Sequence, residues 1–295
     1  MAIRITQNQL ASTFNRDVQN IYAKLAKSQQ QLGDGRRITK PSDDPFGTSQ
    51  VIGYDKQLAD TQRFQANTKE SIGFLNTADA AMDTVTSALQ AIREKTIQAA
   101  NTSTYSAQDL QAISTEILQY KEVIRGAMNS QVGDVYIFGG TGTTAAPYPA
   151  GSNAYAGSGN VMSRRVGPGE SIDINTPGTN VLGPDGANTL DIIDQLAADI
   201  AAGNNPAIRQ GIDDVTAQFD TALSARTQLG TRVTRLELIQ TRLEMTQERL
   251  MSARTEIADV DATEAYLEFT QHQTMYQAAL ASGMRIMQTS ILDFI

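Results

Sequence analysis

The sequence predicts a mainly α protein with a small β insert, an elongated and hairpin-like chain whose long helical bundle carries paired terminal coiled-coil helices. Three observations predict it. The two ends share one apolar rhythm and carry opposite charge, the prolines leave two long stretches untouched, and the stretch Gly139 to Gly186 is rich in Gly, Pro, Ser, Asn and Thr. A chain whose ends pair while its middle is inserted at the far side is organised for assembly rather than catalysis.

Each element follows in order. Between Met1 and Lys40 seven basic side chains stand against Asp17 and Asp34, a balance of +5. Leu10, Phe14, Val18, Ile21, Leu25 and Leu32 recur at the threes, fours and sevens of a coiled-coil seam. Pro41 and Pro45 then break the helix, since proline costs about 3 kcal/mol in a helix interior. No proline follows until Pro147, and Leu75, Ala78, Met82, Val85, Leu89, Ile92, Thr96 and Ala99 step alternately by three and four. After a break at Asn101 to Tyr105, Ser106 is placed to cap a helix bearing Leu110, Ile113, Ile117, Tyr120, Ile124 and Ala127. In the Gly- and Pro-rich stretch, alternating runs such as Ser171 to Asn175 read as short strands with tight turns. A short amphipathic helix starts at Thr189 and is closed by Gly203.

Beyond Pro206 the chain is again free of proline, and Leu236, Ile239, Leu243, Thr246, Leu250, Ala253, Ile257 and Val260 form another seam. From Glu256 to Ile295 six acidic side chains oppose Arg285 alone, a balance of −5. Here Ala262, Tyr266, Phe269, Tyr276, Leu280, Met287, Ile291 and Phe294 keep the seam spacing. Three parts result: residues 1–42 with 258–295 as a terminal coiled-coil domain, 43–140 with 187–257 as a central bundle, and 141–186 as an outward β-rich insert packed mainly on itself. On that reading a short linker can replace the insert without loss to the bundle.

Composition narrows the function. With 6% aromatic residues, no Trp and 40% apolar residues, the chain suits slender helical packing. A net charge of −8 and a pI near 4.8 argue against a nucleic-acid partner. No apolar run approaches the roughly 20 residues of a membrane span, and Met1 to Leu10 lacks the apolar core of a cleavable signal. The absence of cysteine excludes disulfides, thiolate metal sites and cysteine nucleophiles.

Nothing assembles an active site, so no enzyme, cofactor or metal is expected. His272, the only histidine, has no cysteine or acid pair to complete a zinc site and is read as a seam or solvent position. Gly139 to Thr144 lacks the lysine and spacing of a phosphate loop and reads as a turn leaving a strand. Asp259 to Glu264 lacks the glycine and distal glutamate of a calcium loop, which leaves a helix start capped near Asp261. Asp43 and Asp44, between Pro41 and Pro45, read as turn and cap residues.

The stretches 72–128 and 207–257 read as internal core. The terminal seams read as assembly surface, because a pair of single helices leaves apolar area open. Leu10, Phe14, Val18, Ile21, Leu25, Tyr266, Phe269, Tyr276, Leu280, Met287, Ile291 and Phe294 are the expected interface residues.

At these residues the chain resembles a known family. Met1 to Thr6, then Gly35 to Ile38 leading to Pro41 to Pro45, is similar to the N-terminal signature of bacterial flagellins and their hook-associated relatives. Asp259 to Ala265, followed by Gln271 to Leu280, resembles that family's C-terminal helix. Tyr136 to Gly140 and the ending Ser290 to Ile295 look like the hook-associated branch, where flagellins differ. The resemblance covers roughly residues 1–140 and 187–295 and implies a flagellin-like fold. It further implies export through the flagellar type III apparatus, an export chaperone at the C-terminal helix, and a place in the extracellular flagellum. There it would mediate between hook and filament, in contact with hook-associated protein 1, flagellin and copies of itself in a ring or helical layer. Flagellin, the bulk filament subunit, shares the plan and is the alternative; self-polymerisation into long filaments would favour it.

Overall fold

The computed structural model describes residues 7–101 and 106–292. In chain order these form α1 (Gln7–Asp34), α2 (Pro45–Ala100), α3 (Ala107–Met128), β1 (Gln131–Val132), β2 (Val135–Tyr136), β3 (Ser163–Gly167), β4 (Glu170–Asp173), α4 (Thr179–Leu182), α5 (Thr189–Ala201), α6 (Asn205–Ala258) and α7 (Ala262–Leu292). The fold is mainly α, with two antiparallel hairpins, β1 with β2 and β3 with β4.

The helix boundaries have local causes. Gly35, at φ 65°, ends α1 in a conformation that side chains with a Cβ rarely adopt. Pro45 opens α2 at a position where its missing N–H costs nothing, and Asp44 accepts a bond from the Gly47 amide at 2.8 Å. Ser106 and Asp109 form a reciprocal capping box at α3, the hydroxyl accepting from the Asp109 amide and the carboxylate from the Ser106 amide. Asn188 caps α5 through the Asp191 amide. Gly169, at φ 73°, makes the turn between β3 and β4.

The chain divides into two compact units, residues 61–245 and residues 1–60 with 246–295. In the first, all eight α2 seam residues predicted from Leu75 to Ala99 are buried. All but Thr96 join Ile117 and Ile124 of α3, Leu190, Ile193 and Ile200 of α5, and Leu229, Leu236 and Ile239 of α6 in one apolar core. Burying each such side chain stabilises the unit by roughly 1.5 to 3 kcal/mol.

The insert is not packed mainly on itself. Tyr148, Val166, Val181 and Leu182 are fully buried within that same core, beside Ile137 and Phe138. Backbone polar groups explain how an irregular segment can be held there. Asn129 of the α3 C-cap donates to the Tyr148 carbonyl at 2.7 Å and accepts from the Tyr148 amide at 3.0 Å. Buried Arg125 donates to the carbonyls of Pro149 and Ser152 and to Asn153 Oδ1. Asn175 accepts from the Met162 amide at 2.7 Å and donates to the Gly140 carbonyl at 3.0 Å. Gly140 itself, at φ 69°, lies so close to the Ser158 carbonyl that a side chain there would overlap it. The Gly139 to Thr144 run is thus a turn following β2, as its spacing predicted.

Candidate assembly interface

In the unit formed by the two chain ends, α1 and α7 pack against each other in antiparallel fashion. Phe14 lies against Gly283, where any side chain would overlap its ring. The rings of Tyr22 and Tyr276 stand 5.8 Å apart, within the range of a favourable aromatic pair. Ser28 Oγ and His272 Nδ1 are 2.9 Å apart. The lone histidine therefore sits in the seam. Phe14, Val18, Ile21, Leu25, Phe269 and Tyr276 are each half-buried.

Two predicted seam residues lie elsewhere. Tyr266 is 63% and Leu280 is 40% exposed, because the contact stripe of α7 runs through Ala265, His272, Tyr276 and Gly283. Leu10, Met287, Ile291 and Phe294 lie outside the residues whose side chains the structure describes. Ser28 and Gly283 escaped prediction although their spacing was visible. Ser28 falls three after Leu25, and Gly283 falls seven after Tyr276, but neither is apolar enough to register in a hydrophobic count.

The unit's ion pairs include Lys27 with Asp43, Arg37 with Asp44, and Arg254 with Asp55, and each of these three ties the α1–α2 region or α2 with α6. Glu264 and Glu268 of α7, like Arg16 and Lys24 of α1, are exposed to solvent.

A clasp joins the α1–α2 turn to the α6–α7 turn. Arg36 and Asp259 form an antiparallel bridge, the Arg37 amide donates to the Ala258 carbonyl at 2.8 Å, and the Val260 amide donates to the Gly35 carbonyl at 3.1 Å. The Arg37 guanidinium also donates to the Ile257 carbonyl, at 2.9 and 3.2 Å, satisfying an acceptor that the end of α6 leaves open. Gln31 donates to the Arg37 carbonyl at 2.9 Å. Asp43 Oδ2 accepts from the Thr39 and Lys40 amides and the Thr39 hydroxyl, so Asp43 is the turn residue its sequence context predicts.

These contacts favour ionised carboxylates. The Lys27 ammonium first, then the Lys40 amide and Thr39 hydroxyl, hold the Asp43 carboxyl far below its ordinary range. The Gly47 amide, aided by Arg37, lowers that of Asp44. The Thr263 and Glu264 amides lower that of Asp261, which caps α7 from 2.8 and 3.3 Å. The arrangement fixes two chain crossings and presents apolar helix faces; the Ser28 hydroxyl beside His272 is buried in the seam and also lies 3.1 Å from the Lys24 carbonyl, so it faces no open site. Among the described residues no group of acidic or histidine side chains could hold a metal ion, and no helix is long and apolar enough to cross a membrane.

Comparison with known proteins bears on both ends of the chain. The profile of the bacterial flagellin N-terminal helical region matches residues 5–143, and that of the bacterial flagellin C-terminal helical region matches residues 210–295. Flagellar hook-associated protein 3 of Escherichia coli is 25% identical over 288 residues, covering 90% of each chain. Flagellin of Bacillus subtilis is 29% identical over 295 residues, covering 95% of this chain and 94% of its own. The structure of a flagellar hook-associated protein from Vibrio parahaemolyticus matches 74% of this chain and 100% of that one, with a TM-score of 0.68 at 23% identity. FlgL of Bacillus cereus matches 69% of this chain and 99% of that one, with a TM-score of 0.61 at 21% identity. The two structural matches speak to the fold alone.

Proposed function

This chain belongs to the bacterial flagellin family, and from that premise we propose that it is a structural junction protein, adapting the hook-associated zone of the flagellum to the flagellin filament. The observation that carries this reading is the likeness to hook-associated protein 3 across nine-tenths of both chains. It is supported by apolar side chains left exposed on α7, among them Tyr266, Leu267 and Met284.

The segments 1–42 and 258–295 form the axial contacts, 43–140 with 187–257 the layer around them, and the exposed side of 141–186 the outer surface. Leu10, Phe14, Val18, Ile21, Leu25, Tyr266, Phe269, Tyr276, Leu280, Met287, Ile291 and Phe294 serve assembly, some through the α1–α7 seam and others through neighbouring copies. The partners are hook-associated protein 1 on one side, flagellin on the other, and copies of this chain in a ring or helical layer. An export chaperone engages the C-terminal helix, and the protein works outside the cell.

Deleting the chain from its host tests this reading. Cells should then export flagellin into the medium without building filaments, and restoring the chain should restore them; filaments that remain attached would contradict it. Likeness to Bacillus subtilis flagellin favours the bulk filament subunit as the second reading. Long filaments grown from the purified chain alone would select that reading instead.

A further inference from the structure

Beside the clasp, and within the same unit, runs a groove with apolar walls and a basic edge. Ile38, Pro41, Val51 and Ile52 line it, Ile52 being 63% exposed. Thr48 lines it too, and the Thr48 hydroxyl is buried without a hydrogen-bond partner. Such a group costs free energy unless something supplies a bond. Arg36 and Lys40 also border the groove and are exposed, whereas the neighbouring Arg254 is engaged with Asp55.

The same unit carries a complementary feature. On α7, Tyr266 and Leu267 are 63% and 59% exposed; around the helix Leu267 stands between Tyr266 on one side and the exposed acids Glu264 and Glu268 on the other. This is an apolar knob with one acidic edge, and it carries a phenolic hydroxyl at the other.

We propose that the groove of one copy receives Tyr266 and Leu267 of a second copy, with Glu264 and Glu268 set against Arg36 and Lys40, and with the Thr48 side chain turning so that its hydroxyl bonds that of Tyr266. The proposal rests on the reading that the chain assembles with copies of itself, and it names the surfaces that meet. Charge complementarity selects this occupant: the knob is acidic where the groove is basic. Because knob and groove are different patches, the contact is head-to-tail, so every copy offers one of each and the series closes as a ring or continues as a helix. It also gives the opposite charges of the two ends a role between copies.

The lack of native cysteine permits a clean test. Ile52→Cys and Leu267→Cys are placed in separate copies produced together, and flagella isolated from those cells are mildly oxidised. A covalent dimer requiring both variants is expected, while Ile52→Cys paired with Leu238→Cys, an exposed position in the other unit, stays monomeric. Flagella that contain both variants yet yield only monomer overturn the proposal, as does a cross-link from Ile52→Cys to a different protein. As a second measurement, Glu264→Lys with Glu268→Lys should lose incorporation into the flagellum, and adding Arg36→Glu with Lys40→Glu to the same chain should restore it; unimpaired incorporation of the first pair overturns the proposal. Filaments that persist without this chain would remove the assembly reading itself, a separate result.

Discussion

The two compact units use the same apolar spacing of threes and fours and obtain different burial from it. In residues 61–245, the stripe from Leu75 to Ala99 is covered by other helices and by the insert, and every one of its seam residues is buried. In the unit of the chain ends, α1 and α7 are thin partners for each other: the small Ser28, Ala265 and Gly283 are buried, but the large seam residues Phe14, Val18, Ile21, Leu25, Phe269 and Tyr276 are only half-buried. The α6 seam shows both outcomes on one helix: Leu236, Ile239 and Leu243 are buried, whereas Leu250, Ala253 and Ile257 are half-buried. Periodicity specifies which face is apolar, not what covers it. One unit covers its own apolar stripe, and the other leaves apolar side chains such as Tyr266 and Leu267 exposed.

The largest expected effect comes from removing the insert. Replacing 141–186 by a Gly/Ser linker removes Tyr148, Val166, Val181 and Leu182 from the core, each worth roughly 1.5 to 3 kcal/mol, against a typical total stability of about 5 to 15 kcal/mol. The cooperative thermal transition seen by circular dichroism should collapse; an unchanged transition would show that the insert is dispensable after all.

Next comes a single cavity in the same unit. Leu89→Ala removes a side chain that is 1% exposed and should cost about 2 to 5 kcal/mol in denaturant unfolding. By contrast, Gly283→Ala acts on the thin seam, where a methyl group must displace the Phe14 ring. It should cost about 1 to 3 kcal/mol there, seen as faster amide exchange in α7, while the core transition stays in place. A shift of the core transition as large as that of Leu89→Ala would erase the proposed distinction.

Much of the bundle was legible in the sequence because a buried helix writes its partner's face in leucine, isoleucine and valine. The α3 cap, the Gly203 stop and the turn at Gly140 were legible for the same reason that they exist: few residues satisfy those backbone positions. The insert was misread because its anchoring depends on Arg125, Asn129 and Asn175, polar residues that look like loop surface until their backbone partners are known. The clasp was visible only as a resemblance, since hydrogen bonds from Arg37 to the distant Ile257 carbonyl leave no periodic trace.

Smaller effects belong to the clasp. Arg37→Ala should weaken it by about 1 kcal/mol, and Arg37→Lys should not restore it fully because a lysine lacks the planar fork. Asp43, Asp44 and Asp261 titrate lower when folded than the roughly 3.9 of a free aspartate. Their stabilisation is therefore complete above that value and disappears as pH falls through each folded pKa. Protection of the Arg37 and Val260 amides relative to their intrinsic exchange rate should fall in acid, and this acid dependence should flatten in Asp43→Asn. Least of all for stability, Leu280→Asp on the exposed side of α7 should change unfolding by less than about 0.5 kcal/mol and yet prevent incorporation into the flagellum. Normal filaments in cells making that variant would detach Leu280 from assembly.

Hydrogen exchange on the full chain, free in dilute solution and again in isolated flagella, tests the division most directly. Free, the amides around Leu75 to Ile92 should exchange slowly and those of α1 and α7 quickly; in flagella, α1 and α7 should become as protected as the core. Equal protection of α7 and the core in the dilute chain would contradict the account, because the terminal unit would then need no neighbour.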